Sequence, residues 1–413
     1  MNSFSIKRIL SASLALSFAM LALSGCNLLP TRLSYMFKQE PTLPFVDEPK
    51  QATSKRTEAY NSYGYESLSD EMKTAYNTLD EYINLDYSED FIVYADNEDN
   101  FLNVLEAYEI DHPEVFWLDS SSRYSYIEGD GSYQIFLSYT IEGDKLKKAK
   151  QALEAKVGEF LDGAPESATD YELELYLNNY LIDNCEYDKK NSQRHNAYGA
   201  LVDGRAVCDG YSKAFQLLCN RLGIECVGIE GTSAEFNAAN GESTDGHMWN
   251  CVKIGGEWYH VDVTWNDSGD HIQRYLYLNL TTEEITKDHT VAPLYGEENS
   301  DDYTFINVFV PKCTATEYNY FNHDCVTLKS FDDDDEVVAA IINAARNGEE
   351  YVDIYIDESL DYDEVGGAIG SYYGYKWIDA ANYYNNDNPK VKPTGSYYTY
   401  TDVRAVTFKL EYE

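Results

Sequence analysis

Basic residues are scarce in this chain. Its 413 residues hold 31 lysines and arginines against 72 aspartates and glutamates, a formal net charge of −41 at pH 7. Such an excess repels phosphate backbones, so nucleic acid is excluded as a partner, as is a polybasic grip on anionic lipid. The eight cysteines include no CxxC pair, which removes the usual zinc and thiol-redox spacings. The acidic run Asp332–Asp335 lacks the spaced ligands and glycine of a calcium loop. His271 and His289 have no acid or cysteine at the spacing of a ligand set, so no metal and no cofactor are expected. Apolar runs are short: the longest, Ile9 to Leu23, falls below a comfortable bilayer span. Tyrosine, by contrast, is abundant, with 38 residues spread along the chain, which suits half-buried positions.

The apolar run follows Lys7 and Arg8, as in an export signal. It ends in Leu23-Ser24-Gly25-Cys26, which resembles the lipobox of bacterial lipoproteins. That resemblance implies removal of residues 1–25 and a lipid on Cys26, tethering the protein to the outer face of the cytoplasmic membrane. Residues 26–55, with scattered prolines and no period, read as the tether.

A small N-terminal α+β domain is expected over 56–145. Its signals are a helix starting at Ser69, a second apolar-periodic stretch from Phe101 to Tyr108, and two strand-like runs flanking Glu128-Gly-Asp-Gly131. His112, beside Pro113 and an aromatic cluster, reads as a packed histidine. Helical patterns over Lys145–Leu161 and from Asp170 open a second domain, 146–300. A polar linker, 301–325, leads to a compact C-terminal α+β domain, 326–413. There, Tyr372–Trp377 and Tyr383–Tyr384 read as packing aromatics, with glycan or peptide binding the lesser alternative. Cys313 and Cys325 could pair if the protein is exported.

The middle domain centres on Gly204-Arg-Ala-Val-Cys208-Asp-Gly-Tyr. Tyr211, Ala214, Phe215, Leu218 and Leu222 recur at helical spacing, and Gly223 is a stop. Cys208 thus falls in a first helical turn, where amide N–H groups and the helix dipole favour a thiolate. From this stretch alone, a buried structural thiol and a reactive one are both open.

A loop from Glu230 to Asp245 then leads into His247–Ile254, Gly255-Gly256 and Glu257–Trp265, which read as a two-residue hairpin. If Ile254 faces Glu257, Trp249 faces Asp262 and His247 faces Thr264. Period-2 alternation then puts His247 and Asp262 on one face as diagonal neighbours, able to pair. His260 shares that face and is expected to pack against Cys251. Tyr275–Asn279 reads as a further strand and Asp288–Thr290 as a loop.

Together, Gly-x-Ala-Val-Cys208-x-Gly-Tyr-x-x-Ala-Phe, His247-x-Trp-Asn and Trp258-Tyr-x-Val-Asp262-x-Thr-Trp265 resemble the transglutaminase-like superfamily over about residues 165–295. The resemblance implies an α+β, papain-like core with flanking N- and C-terminal α+β domains. It also implies a triad of Cys208 as nucleophile, His247 as base and acid, and Asp262 as orienting acid. Trp249 and Trp265 would wall the site, and Tyr198 is a candidate second oxyanion donor beside the Cys208 amide. The expected chemistry is attack on an amide of a peptide, protein or cell-wall peptide, through a thioester. Hydrolysis is preferred, with transfer to an amine or a non-catalytic envelope binding module as alternatives.

Overall fold

In a computed structural model, the described residues are 62–84, 91–118, 124–128, 132–234, 244–267, 269, 271–294, 307–332, 334–386, 389–392, 397–400 and 403–413. The leader, Cys26, the tether, the turn at 129–131 and the loop at 235–243 lie outside them. No described helix is long and apolar enough to cross a membrane. The described chain divides into two compact units, one of residues 62–267 and 280–314, the other of 269–279 and 315–413.

The first unit begins with helices α1 (Tyr63–Ser67), α2 (Asp70–Asn84) and α3 (Glu98–Asp111) beside a sheet of β1 (Phe91–Tyr94), β2 (Tyr124–Glu128) and β3 (Ser132–Leu137), ordered β1-β3-β2. β2 and β3 pair antiparallel as a hairpin, and α3 ends at Asp111, two residues before Pro113. Asp111 binds α1, its carboxylate accepting from the backbone N–H of Gly64 and Tyr65 and from the Tyr76 hydroxyl. His112 is buried and stacked on Tyr108, which is the packing role read for it.

Next come α4 (Gly143–Gly163) and α5 (Asp170–Asn184). A reciprocal capping box between Thr169 and Glu172 satisfies two backbone donors at the start of α5. Two short elements, β4 (Glu186–Tyr187) and α6 (Ala197–Leu201), precede β5 (Arg205–Ala206) and the central helix α7 (Cys208–Leu222). α7 starts and stops where its sequence predicts, with Gly223 left-handed at φ 88°.

Every residue of α7 from Cys208 to Asn220 is buried, polar ones included, and the polar ones have partners. Gln216 donates to the Ile110 carbonyl at 2.6 Å, and Ser212 to the Trp249 carbonyl at 3.0 Å. Close packing at the helix start requires Gly210, where a Cβ would sit 2.3 Å from the Arg194 carbonyl oxygen.

α7 lies on an antiparallel sheet of β6 (Cys226–Ala234), β7 (Thr244–Ile254), β8 (Glu257–Val261) and β9 (His289–Val291), ordered β8-β7-β6-β9. A buried helix against an antiparallel sheet is the α+β arrangement expected of the core. The β7–β8 hairpin has the expected register from Ile254↔Glu257 to Asn250↔Val261. β8 then stops, and Asp262 caps a single-turn helix, α8 (Val263–Asn266), so Thr264 is helical rather than paired with His247. The anticipated strand at Tyr275–Asn279 is also absent: Ile272–Tyr275 forms a 3₁₀ turn, and Asn279 takes a positive φ of 60°. The anticipated loop at His289–Thr290 is β9, preceded by α9 (Thr282–Ile285).

The second unit contains α10 (Tyr320–His323), β10 (Val326–Leu328), α11 (Asp335–Asn347), β11 (Tyr351–Ile356), α12 (Tyr362–Ala368), α13 (Gly374–Tyr384), β12 (Tyr397–Tyr400) and β13 (Ala405–Lys409). Its sheet order is β10-β11-β13-β12, with β10 parallel to β11. Leu328, Ile341, Ile354, Trp377 and Phe408 form its core. Asp334 occupies the N-cap position of α11 but makes no capping hydrogen bond; its carboxylate accepts from Trp377 Nε1 and Lys376 Nζ. Tyr373 packs on Phe331, whereas Tyr372, Tyr375, Tyr383 and Tyr384 are all exposed, so the packing role fits only part of that aromatic set.

Candidate active site

Cys208 is the first residue of α7, and its preceding N-cap is Val207, whose apolar side chain makes no capping hydrogen bond. The first-turn amides are therefore not spent on an N-cap side chain, although Gly210 N–H donates to Asp209 Oδ1 at 3.0 Å. The loop before the helix is fixed by the Val207 amide, which donates to the Arg194 carbonyl, and by a buried pair, His195 Nδ1 with Asp209 at 2.9 Å.

Hydrogen bonds between α7 and β7 set where the thiol lies along the strand. Ser212 donates to the Trp249 carbonyl, and Asn250 Nδ2 donates back to the Ser212 carbonyl at 3.1 Å. One helical turn on, the side chain of Gln216 lies beside Gly228, which pairs with Asn250. Further on, Cys219 meets Cys226, which pairs with Val252. Helix and strand therefore run in the same direction. Stepping back one turn from Ser212 moves about 6 Å to Cys208. Stepping back two residues from Trp249 moves about 6.6 Å to His247. The two residues thus belong to the same end of the helix–strand pair.

His247 is held from the other side by Asp262. Its Nε2 lies 2.6 Å from Asp262 Oδ2, with both groups buried. Asp262 Oδ1 accepts the Trp265 amide at 3.1 Å, so the carboxylate that orients the histidine also caps α8. The position just past the end of β8 is what allows both tasks.

A second histidine completes the arrangement. His289 Nε2 lies 3.1 Å from Asp262 Oδ2, and its Nδ1 lies 2.6 Å from Asp288 Oδ1. Both His289 nitrogens thus face carboxylate oxygens, which favours the doubly protonated imidazolium. Burial lowers its affinity for the proton, but Asp262 and Asp288 outweigh this and raise its pKa above the ordinary 6.5. Burial likewise works against the Asp262 charge, yet the two histidines hold its carboxyl well below the usual carboxylate range. With Nε2–H of His247 directed at Asp262, Nδ1 is the nitrogen suited to exchanging a proton with a thiol.

Aromatic rings enclose the pair. Trp249 stacks on His247 at 5.9 Å between centroids and meets His289 edge-on at 5.1 Å. Gly231 makes this possible, since a Cβ there would lie 2.2 Å from the Thr290 carbonyl oxygen and 2.7 Å from the Trp249 ring. Trp249 is only 1% exposed and forms an inner wall of this cluster. Half-buried Trp265 lies 4.5 Å from His289. Tyr198 stacks on Phe116 at 4.8 Å, which gives its ring a packing role in α6.

The sequence reading missed three members of this neighbourhood: His195, Asp209 and the role of His289. Asp209 follows the thiol directly and Asp288 precedes His289, but neither adjacency has a period that identifies a partner. The possible Cys313–Cys325 pair is not formed. All seven described cysteines are free, and the Cys313 sulfur neighbours that of Cys251. His260 packs against Cys251 as expected, at 3.2 Å.

One prediction follows from the His289 charge. A raised folded-state pKa gives stability that is complete below the unfolded value and is lost as pH rises through the folded value. His289→Asn should therefore cost about 3–5 kcal/mol near pH 6, measured by urea unfolding, and the gap to wild type should narrow toward alkaline pH. A gap that widens with pH would contradict the imidazolium assignment.

A family model described as the transglutaminase-like superfamily matches residues 163–263, which include Cys208, His247 and Asp262. Human kyphoscoliosis peptidase is 31% identical over 125 residues, covering 28% of this chain and 18% of that protein. The mouse protein is 33% identical over 94 residues, covering 21% and 14%. The match thus spans under a fifth of either relative's length. Among solved structures, a crystal structure of a TGase shares 13% identity over 36% of this chain and 45% of that one, with a TM-score of 0.26. Residues 163–263 of this chain carry a transglutaminase-like domain.

Proposed function

We propose that this protein is a thiol hydrolase acting on amide bonds of peptides, proteins or cell-wall peptides, tethered outside the cytoplasmic membrane through a lipid on Cys26. The observation that carries the reading is the buried pairing of Asp262 with His247, which lies on the strand against which the Cys208 helix packs. In the proposed cycle, His247 Nδ1 takes the Cys208 proton and the thiolate attacks the amide carbonyl carbon. The resulting oxyanion is received by the Cys208 backbone N–H at the helix start. His247 then protonates the leaving amine, the C–N bond breaks, and a thioester remains. Water, deprotonated by His247, attacks the thioester, releasing the carboxylic acid and restoring the thiol. Asp262 fixes the His247 tautomer throughout.

The test is turnover of a peptide library with and without a primary amine, followed by mass spectrometry. Hydrolysed products that disappear in Cys208→Ala support the proposal. Amine-bearing products in excess of hydrolysis would make the protein a cross-linking enzyme. Specific peptide binding without turnover would make it a binding module. Either result overturns the hydrolase reading.

A further inference from the structure

A second cluster of chemically capable groups lies in the first unit, behind Trp249, and the proposed reaction does not use it. Cys251 of β7, His260 of β8 and Cys313 of the segment after β9 converge with one ligand atom from each, all within 4.8 Å of one another. All three residues are buried. They come from positions 9 and 62 apart along the chain, so no spacing in the sequence reveals them.

The distances are those of a coordination shell. The two sulfurs lie 3.8 Å apart, and Cys251 Sγ lies 3.2 Å from His260 Nδ1. A tetrahedral centre with metal–sulfur bonds of about 2.3 Å and metal–nitrogen bonds of about 2.0 Å has edges of about 3.8 Å between sulfurs and about 3.5 Å from sulfur to nitrogen. The sulfurs already stand at that separation, and the imidazole needs to move by only a few tenths of an ångström.

The histidine tautomer is preset as well. Trp249 Nε1–H, which can only donate, points at His260 Nδ1 from 3.1 Å. Nδ1 is therefore the unprotonated nitrogen, and Nε2–H donates to Thr282 Oγ1 at 3.2 Å. That is the arrangement of a metal-ligating imidazole, with its distal N–H fixed by an oxygen acceptor. Thr282 is tied in turn to Cys313, its amide donating to the Cys313 carbonyl at 2.9 Å.

We propose that Cys251, His260 and Cys313 form a binding site for a thiophilic d¹⁰ cation, Zn²⁺ or Cu⁺. The ion would join β7, β8 and the segment after β9 into one wall behind the Trp249 ring. Coordination replaces the two thiol protons, which pass to solvent, and takes Nδ1 from the Trp249 indole.

The test uses the full reduced, metal-free chain. One equivalent each of Zn²⁺, Cu⁺ and Co²⁺, the last as an optical probe, is added under strictly anaerobic conditions. The expected result is one tightly bound ion per chain, a thiolate-to-cobalt charge-transfer band, a change in tryptophan fluorescence and a higher Tm. Competition between Zn²⁺ and Cu⁺ separates the two ions. Cys313→Ser should lose the band and at least about 10²-fold in affinity, while Cys208→Ser and Cys219→Ser should keep both. Absence of the thiolate band in the wild-type chain would overturn the proposal. So would a band surviving in Cys313→Ser, or ion binding without a thiolate band, which would point to His247, Asp262 and His289 instead. A Cys251–Cys313 cross-linked peptide with two hydrogens fewer, recovered from the native chain, would make the pair a disulfide and would also overturn it.

Discussion

Cys208→Ala is expected to lower amide hydrolysis by roughly 10⁶-fold, as loss of a covalent nucleophile does when its partners cannot act without it. The fold should survive the change. The thiol is only 1% exposed, and alanine opens a small void at the first turn of a helix otherwise anchored through Ser212, Gln216 and Asn250. Urea unfolding should therefore shift by no more than about 1–2 kcal/mol. The two readouts separate a catalytic thiol from a structural one. A packing cysteine would cost stability and leave turnover within a few-fold of wild type, and that outcome would contradict the account.

Asp262→Asn should lower kcat by about 10⁴-fold and destabilise the fold by about 3–5 kcal/mol. The carboxylate serves three donors: His247 and His289 on Oδ2 and the Trp265 amide on Oδ1. An asparagine carbonyl can still cap α8, but its amide then faces the histidine nitrogens as a donor. His247 must move its proton to Nδ1, the nitrogen the thiol needs as an acceptor, and His289 loses one of its two counter-charges. The pH dependence has a definite sign. Asp262 has a folded pKa below its unfolded value of about 3.8, so its contribution is complete above that value and is lost as pH falls below it. The stability gap between wild type and Asp262→Asn should therefore close below pH ~4. If kcat stays within tenfold of wild type, Asp262 is not the orienting acid.

Much of this site was legible in the sequence because its signals are local. The α7 boundaries follow from an apolar stripe and Gly223, and the β7–β8 register follows from a two-residue Gly-Gly turn. His247 and Asp262 met as expected although β8 ends at Val261, because one residue past the strand still leaves the carboxylate within reach. His289 was not legible. Its position depends on β9 pairing with β6, Ser233 opposite His289, a contact between segments with no shared period. Alternation puts Trp249 on the face of His247 but does not give the depth of its cover, which leaves it 1% exposed. Tyr275–Leu278 shows the opposite limit: alternating tyrosine and leucine imitate period two where the chain leaves a 3₁₀ turn and bends. The converging cysteines and His260 show the same limit, since their meeting is set by tertiary packing alone.

The central claim is that Cys208 is an activated thiol and His247 activates it. Its most direct test is the alkylation rate of each cysteine in the folded, reduced chain, measured with iodoacetamide at pH 6 and mapped by mass spectrometry. An ordinary thiol with a pKa of about 8.5 is only ~0.3% thiolate at that pH, and burial pushes the Cys185 thiol up to about 12. The account predicts that Cys208 reacts about 10²-fold faster than Cys185 or Cys251, and that His247→Ala removes the difference. A Cys208 no faster than those two, or a rate unchanged by His247→Ala, would contradict it.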